Sequence, residues 1–151
     1  MSPTAGAGPH FGLRRYWTDR LGLGLDGTLL WWGDGSTDDA PGWTAAANLS
    51  WVPWATDPYR LSPDSGRRVV GPSVDLHVGA GGGVLARRNR GVPVVPRAAL
   101  DAFVGLRFFV NRWFAITLDA RAYATIAERP VDFFGTLGVA FLFPSRVLVE
   151  Q

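Results

Sequence analysis

Three glycines in the stretch RLGLGLDGTLLWW (20–32), Gly22, Gly24 and Gly27, carry the G-x-G-x-x-G spacing of a dinucleotide-binding turn. That chemistry needs a strand before the turn and a helix after it, whose first N–H groups hold the pyrophosphate. Here the glycines lie inside an alternating stretch that runs on into TLLWW, so they read as small side chains on one face of a strand. The run GAGGG at 79–83 offers a second phosphate cradle, but no Lys-Ser or Lys-Thr follows it. Small residues that let another backbone approach explain it better. Ser73, Asp75 and His77 supply the residue types of a nucleophilic triad. Spaced i, i+2 and i+4 on one strand, they are too far apart along the rise to meet head-on. With His10 and His77 as the only histidines and no cysteine, a metal site of the His/Cys type lacks its ligands. The sequence therefore predicts no catalytic residue, no metal and no cofactor.

A recurring alternation positions these residues. Over 20–32, Leu21, Leu23, Leu25, Leu29 and Trp31 oppose Gly22, Gly24, Asp26 and Thr28. Over 73–84, Val74, Leu76, Val78 and Val84 oppose Asp75, His77, Gly79, Gly81 and Gly83. Over 99–110, Leu100, Val104, Leu106, Phe108 and Val110 oppose Asp101, Phe103, Gly105, Arg107 and Phe109. The pattern returns over 113–124 and 131–143, and more weakly over 6–17 and 42–52. Successive strand side chains point to opposite faces, so each segment presents one apolar face. The expected strands are 6–17, 20–32, 42–54, 73–86, 98–110, 113–125 and 131–143, with no long amphipathic helix. The fold class is all-β: an antiparallel up-and-down transmembrane β-barrel of the eight-stranded type with about seven strands present, in a single domain over 1–151.

The second face decides the orientation. A soluble barrel turns a face rich in Lys, Glu, Gln and Ser to water, whereas this one is Gly-rich with isolated charges of both signs. It suits a cramped interior in which Asp26, Asp75, Asp101, Asp119 and Asp132 pair with Arg14, Arg107 and Arg121, beside His77. Arg107 is expected to bridge to Asp119 or to an acid on a neighbouring strand. Such charges are tolerable inside only when paired and hydrogen-bonded. Eight strands leave an interior that side chains fill, so the network is read as structural and not as a selectivity lining. The apolar faces then look outward, and strands of about ten residues with an apolar band and aromatic ends are the signature of an outer-membrane barrel.

Aromatic residues cluster at the strand ends: Tyr16 and Trp17, Trp31 and Trp32, Trp43, Trp51 and Trp54, Phe108 and Phe109, Trp113 and Phe114, Phe141 and Phe143. Rings with one apolar and one hydrogen-bonding end favour the headgroup region, so Trp17, Trp31, Trp32, Trp43, Trp51, Trp113, Phe141 and Phe143 are expected at the membrane interfaces. Tight links at 18–20 and 111–112 alternate with longer ones at 33–42 and 87–97, as in outer-membrane barrels. The link at 55–72 breaks this rule; it reads as a flap, a short helix under the barrel, or an eighth strand around Arg68–Val70. A bacterial barrel of this type has an even strand count. Seven strands and no signal-peptide pattern at the start imply a native chain with a leader and one further strand before residue 1.

Bulk composition removes other classes. No run of about 18 apolar residues exists, so no transmembrane helix is expected. A net charge of +2, with basic residues dispersed except at Arg87, Arg88 and Arg90, lacks the continuous basic stripe of a nucleic-acid binder. The absence of cysteine rules out a disulfide framework and thiolate chemistry.

The segments FVGLRFFVNRWFAITLDARAYATI and FFGTLGVAFLFP resemble the C-terminal half of the small outer-membrane β-barrel domain proteins common in myxobacteria and their relatives. The matching residues are Gly105, Leu106, Arg107, Phe108, Phe109, Asn111, Trp113, Ala115, Leu118, Asp119 and Arg121, then Gly138, Phe141, Phe143 and Pro144. YWTDRLGLGLDG is similar to an earlier hairpin of that family, and the likeness covers about residues 8–144. Two departures stand out: the family begins with a signal peptide and one more strand, and SRVLVEQ continues here beyond Pro144. The resemblance implies location in the cell outer membrane more than any activity. The expected role is a non-enzymatic anchor or scaffold in the Gram-negative envelope, in contact with the lipid bilayer and, through its long loops, with other envelope proteins. The rival readings are a soluble lipocalin-like barrel that binds a ligand, and an outer-membrane hydrolase.

Overall fold

The computed structural model describes residues 5–18, 20–32, 42–56, 60–61, 69–70, 74–87, 95–111, 113–126 and 131–144. Long strands run at Ala5–Tyr16 (β1), Leu21–Trp32 (β2), Gly42–Ala55 (β3), Val74–Arg87 (β6), Val95–Asn111 (β7), Phe114–Thr125 (β8) and Val131–Pro144 (β9). Two short ones, Arg60–Leu61 (β4) and Val69–Val70 (β5), lie between β3 and β6. Each long strand coincides with a stretch of period-2 alternation, and the ends differ from expectation by no more than three residues.

The seven long strands close into a barrel in the order β1-β2-β3-β6-β7-β8-β9. Chain neighbours pair antiparallel around the ring. Six reversals, an even number, bring the first and last strands into the same direction, so β1 closes on β9 in parallel, from Ala5 opposite Phe133 to Tyr16 opposite Pro144. The seven strands expected in the chain are present, and they close into a ring on their own. Residues 55–72 differ from expectation. The described part of that link is a two-stranded ladder, Arg60 opposite Val70 and Leu61 opposite Val69, which does not join the barrel.

One end of the barrel, the turn rim, carries the links β1–β2 and β7–β8. The other, the loop rim, carries the links β2–β3, β6–β7 and β8–β9; the long loops at 33–41 and 88–94 lie outside the described residues. Near the turn rim β3 contains Pro53, which has no N–H to give the ladder, and the β3–β6 register shifts between Trp51 and Trp54. The extra residue reverses the alternation, so Trp54 joins Trp51 on the outer wall.

Orientation is unambiguous. Leu25, Phe133 and Leu137 are 59%, 54% and 62% exposed on the outside, while His77, Arg121 and Asp119 are 0%, 1% and 2% exposed on the inside. The interior is layered. Tyr16, Val52, Ala115 and Leu142 pack together near the turn rim, with Phe109 and Ala55 against them. Leu30, Leu85, Ala99, Tyr123 and Phe134 pack near the loop rim. Polar and charged side chains fill the space between these two apolar plugs.

Gly135, on the outer face of β9, has no atom within 4 Å of the position a Cβ would take. Nothing in the barrel uses its smallness, so Gly135→Ala is expected to raise stability by about 0.5–1 kcal/mol through the lost backbone freedom of the unfolded chain. Denaturant titration of the folded fraction in detergent checks this, and a lowered midpoint would contradict it.

Candidate functional site: a buried ion network across the barrel

The network begins with strand register. Asp75 on β6 and Arg107 on β7 are direct cross-strand partners. Their side chains form a fork: Arg107 Nε donates to Asp75 Oδ1 at 2.8 Å and Nη2 to Oδ2 at 2.6 Å. Arg107 Nη1 donates to the Tyr16 hydroxyl of β1, and the guanidinium lies 5.1 Å from the centre of the Tyr16 ring. This pair sits just inside the turn-rim plug, where Ser50 Oγ donates to the Gly22 carbonyl at 3.2 Å and lies 3.4 Å from the Tyr16 hydroxyl.

One step inward, His77, Gly105 and Asp119 form a row across β6, β7 and β8. His77 and Asp119 are therefore two strands apart, and they meet over the bare Cα of Gly105. His77 Nε2 stands 2.9 Å from Asp119 Oδ1. A Cβ on Gly105 would fall 2.0 Å from Asp119 Oδ1. The glycine is what lets the row close.

At mid-barrel Asp26 on β2 collects donors from three strands. Arg14 Nη2 of β1 donates at 3.0 Å, Asn48 Nδ2 of β3 at 2.7 Å and Arg121 Nη2 of β8 at 3.0 Å, all to Oδ2. Arg121 extends the network to Asp101 on β7 through Nη1 at 3.2 Å and to Asp119 at 3.1 Å. His10 Nε2 lies 3.5 Å from Asp26 Oδ1, and its Nδ1 shares a hydrogen bond of 3.2 Å with Thr28. Phe103 reaches in from β7, and the guanidinium carbons of Arg14 and Arg121 lie 4.7 and 4.6 Å from its ring centre. A ring face carries negative charge density, which suits two cations whose Nε atoms find no acceptor among the described residues.

Asp26, Asp75, His77, Asp101, Arg107, Asp119 and Arg121 thus all face inward and are buried. All seven meet in the contacts above, and Asp132 is buried on the inner face of β9. Of the two expected partners for Arg107, the neighbouring strand's acid is the one used: Asp75, not Asp119. Of the Ser73–Asp75–His77 trio only Asp75 and His77 fall within the described residues. The Asp75 carboxylate is held by Arg107, His77 Nδ1 is 3.9 Å from it, and Ser73 lies outside the described residues. Tyr16, taken from the sequence as a rim aromatic, instead faces inward as a partner of Arg107. Trp17, Trp31, Trp43, Trp51, Trp113, Phe141 and Phe143 are exposed on the outside. The side chain of Trp32 lies outside the described residues. His10, Asn48 and Phe103 were not singled out as network members, although alternation within their strands already put them on the inner face.

The arrangement does mechanical chemistry: it ties strands that are not chain neighbours, β8 to β2 through Arg121 and Asp26 and β7 to β1 through Arg107 and Tyr16. Fold and site together define a closed β-barrel with a charged, self-filled interior and an apolar outer wall. No family model, curated protein or solved structure matches the chain.

Arg107→Ala leaves Asp75 buried without its counter-charge, and its expected cost is about 3–5 kcal/mol. Asp75→Ala should cost a similar amount, and the double variant less than the sum, because neither charge is then stranded. Gly105→Ala forces the His77–Asp119 row apart, with an expected loss of about 1–3 kcal/mol. Denaturation midpoints of the refolded variants measure all four. Additive losses for the Arg107 and Asp75 pair would show that their contact is not coupled.

Proposed function

We propose that this chain is a non-enzymatic β-barrel of a Gram-negative outer membrane that serves as an anchor or scaffold in the envelope. The observation that carries the reading is the inverted barrel: Leu, Val, Phe and Trp side chains exposed around the whole wall, enclosing paired charges. An apolar surface of that extent suits lipid and would be an aggregation hazard in water. Dimensions agree. Strands of 12 residues or more, rising about 3.3 Å per residue and tilted by about 40°, span roughly the 30 Å of a hydrocarbon core. Exposed aromatics flank this band, with Trp17, Trp51, Trp54, Trp113 and Phe143 toward the turn rim and Trp31 and Trp43 toward the loop rim, as headgroup girdles do.

A lipocalin-like reading needs the reverse orientation, with an apolar cavity inside. The apolar plugs at both rims and the packed ions between them argue equally against a pore and against substrate access. The resemblance to small outer-membrane barrel domains supports the same location. In this role the wall holds the chain in the lipid bilayer while the loops between β2 and β3 and between β6 and β7 reach other envelope proteins.

The test is reconstitution. The refolded chain is expected to need detergent or vesicles, to migrate faster on gels unheated than boiled, and to give no conductance above baseline in planar bilayers. A monodisperse, detergent-free monomer would overturn the membrane reading, and stepwise ion conductance would overturn the sealed lumen.

A further inference from the structure

The outer wall of the barrel carries a single charge among the described strand residues, Arg15. It is the penultimate residue of β1, at the turn rim, and it is exposed. Its cross-strand partners are Leu23 on β2 and Phe143 on β9, and Leu13 and Trp17 flank it on its own side of the wall. All four of these are exposed apolar side chains. No described residue supplies Arg15 with a counter-ion, whereas Arg14, Arg107 and Arg121 each hold a carboxylate inside the barrel. The chain thus pairs Arg14, Arg107 and Arg121 internally and turns Arg15 out, into the tryptophans at the turn rim.

We propose that Arg15 binds the phosphate of a glycerophospholipid headgroup in the leaflet at the turn rim. This deepens the membrane reading above and rests on it. An arginine stem lies along apolar surface while its head reaches the polar boundary, and Leu23 and Phe143 give the stem such a surface. The planar guanidinium fork matches two phosphate oxygens at once, which an ammonium does not. The indoles of Trp17, Trp51 and Trp54 favour the same depth, where ring and headgroup meet. A cation with no counter-ion among the described residues at that depth is complementary to the phosphodiester, and the phosphate is common to all glycerophospholipids whatever their head alcohol.

The experiment uses the full chain, refolded into mixed phosphatidylcholine–phosphatidylglycerol vesicles, then released into micelles for native mass spectrometry of retained lipid. Wild type, Arg15→Gln and Arg15→Lys are compared, each first checked for the fast-migrating folded form. The Gln variant is expected to retain about fivefold less phospholipid, the size of one interfacial cation's attraction, with Lys in between. Vesicles of digalactosyl diacylglycerol, which has no phosphate, should show no difference between wild type and Gln. Excess inorganic phosphate should leave retention by the wild type unchanged. Equal retention by folded wild type and Gln overturns the assignment while leaving the membrane reading intact. A Gln-sensitive retention of the galactolipid, or full displacement by inorganic phosphate, also overturns the lipid-phosphate assignment. Failure of all three chains to enter vesicles sinks the membrane reading itself, and this proposal with it.

Discussion

A guanidinium group taken out of water has to meet a counter-charge, and three of them inside one narrow barrel constrain nearly everything else in this chain. Seven strands spaced about 4.8 Å apart and tilted by about 40° make a ring on the order of 14 Å across. Across that width an arginine from one wall reaches an aspartate on the far wall, which is how Arg121 of β8 meets Asp26 of β2. The same width leaves no space for a bulky inward residue at every position. Gly79, Gly81 and Gly83 therefore follow Asp75 and His77 along the inner face of β6, and Gly105 separates His77 from Asp119 without filling the gap. The composition of the inner face follows from the barrel's size.

How far this was legible in the sequence follows from what period-2 alternation encodes. It assigns a face to each residue, so the inward set from Asp26 to Arg121 and the outward set from Leu21 to Phe143 were readable strand by strand. It does not encode register. Sliding one strand past the next by two residues keeps every face and changes every partner. Arg107 therefore had two candidate acids: the register puts it opposite Asp75 on one side and Thr117 on the other, while Asp119 lies opposite Gly105. Alternation also misleads where it is interrupted. Pro53 and the bulge beside it move Trp54 to the outer wall. At Tyr16 a residue type that suits a membrane interface was weighed above its place in the pattern, and the inward side prevailed because its hydroxyl accepts from Arg107.

Closure was the other illegible feature. Chain order and short links determine that neighbours pair antiparallel, but nothing local states whether the two ends of the sheet meet. An odd number of strands leaves β1 and β9 running the same way, and parallel ladders pair as regularly as antiparallel ones, with evenly spaced, slanted bonds. Side chains across such a seam still alternate in step, so Phe11 and Val139 stay outside while Gly12 and Ala140 stay inside. The inner network and the outer wall therefore continue across the closing pair without a break in either surface.

This separation of surfaces ties the fold to its proposed work. Were the barrel built to move or bind something along its axis, mid-lumen groups would need a route to either rim. Instead Tyr16, Val52 and Leu142 close one end and Leu30, Leu85 and Phe134 the other, over carboxylates already held by arginines. Groups so enclosed act on the strands that carry them. What remains for contact with the surroundings is the wall and the two rims, and the wall is apolar except where β1 ends. A barrel locked from within and greasy without is suited to holding a position in a bilayer, and in the proposed reading Arg15 marks the depth on that wall at which the greasy surface would give way to headgroups.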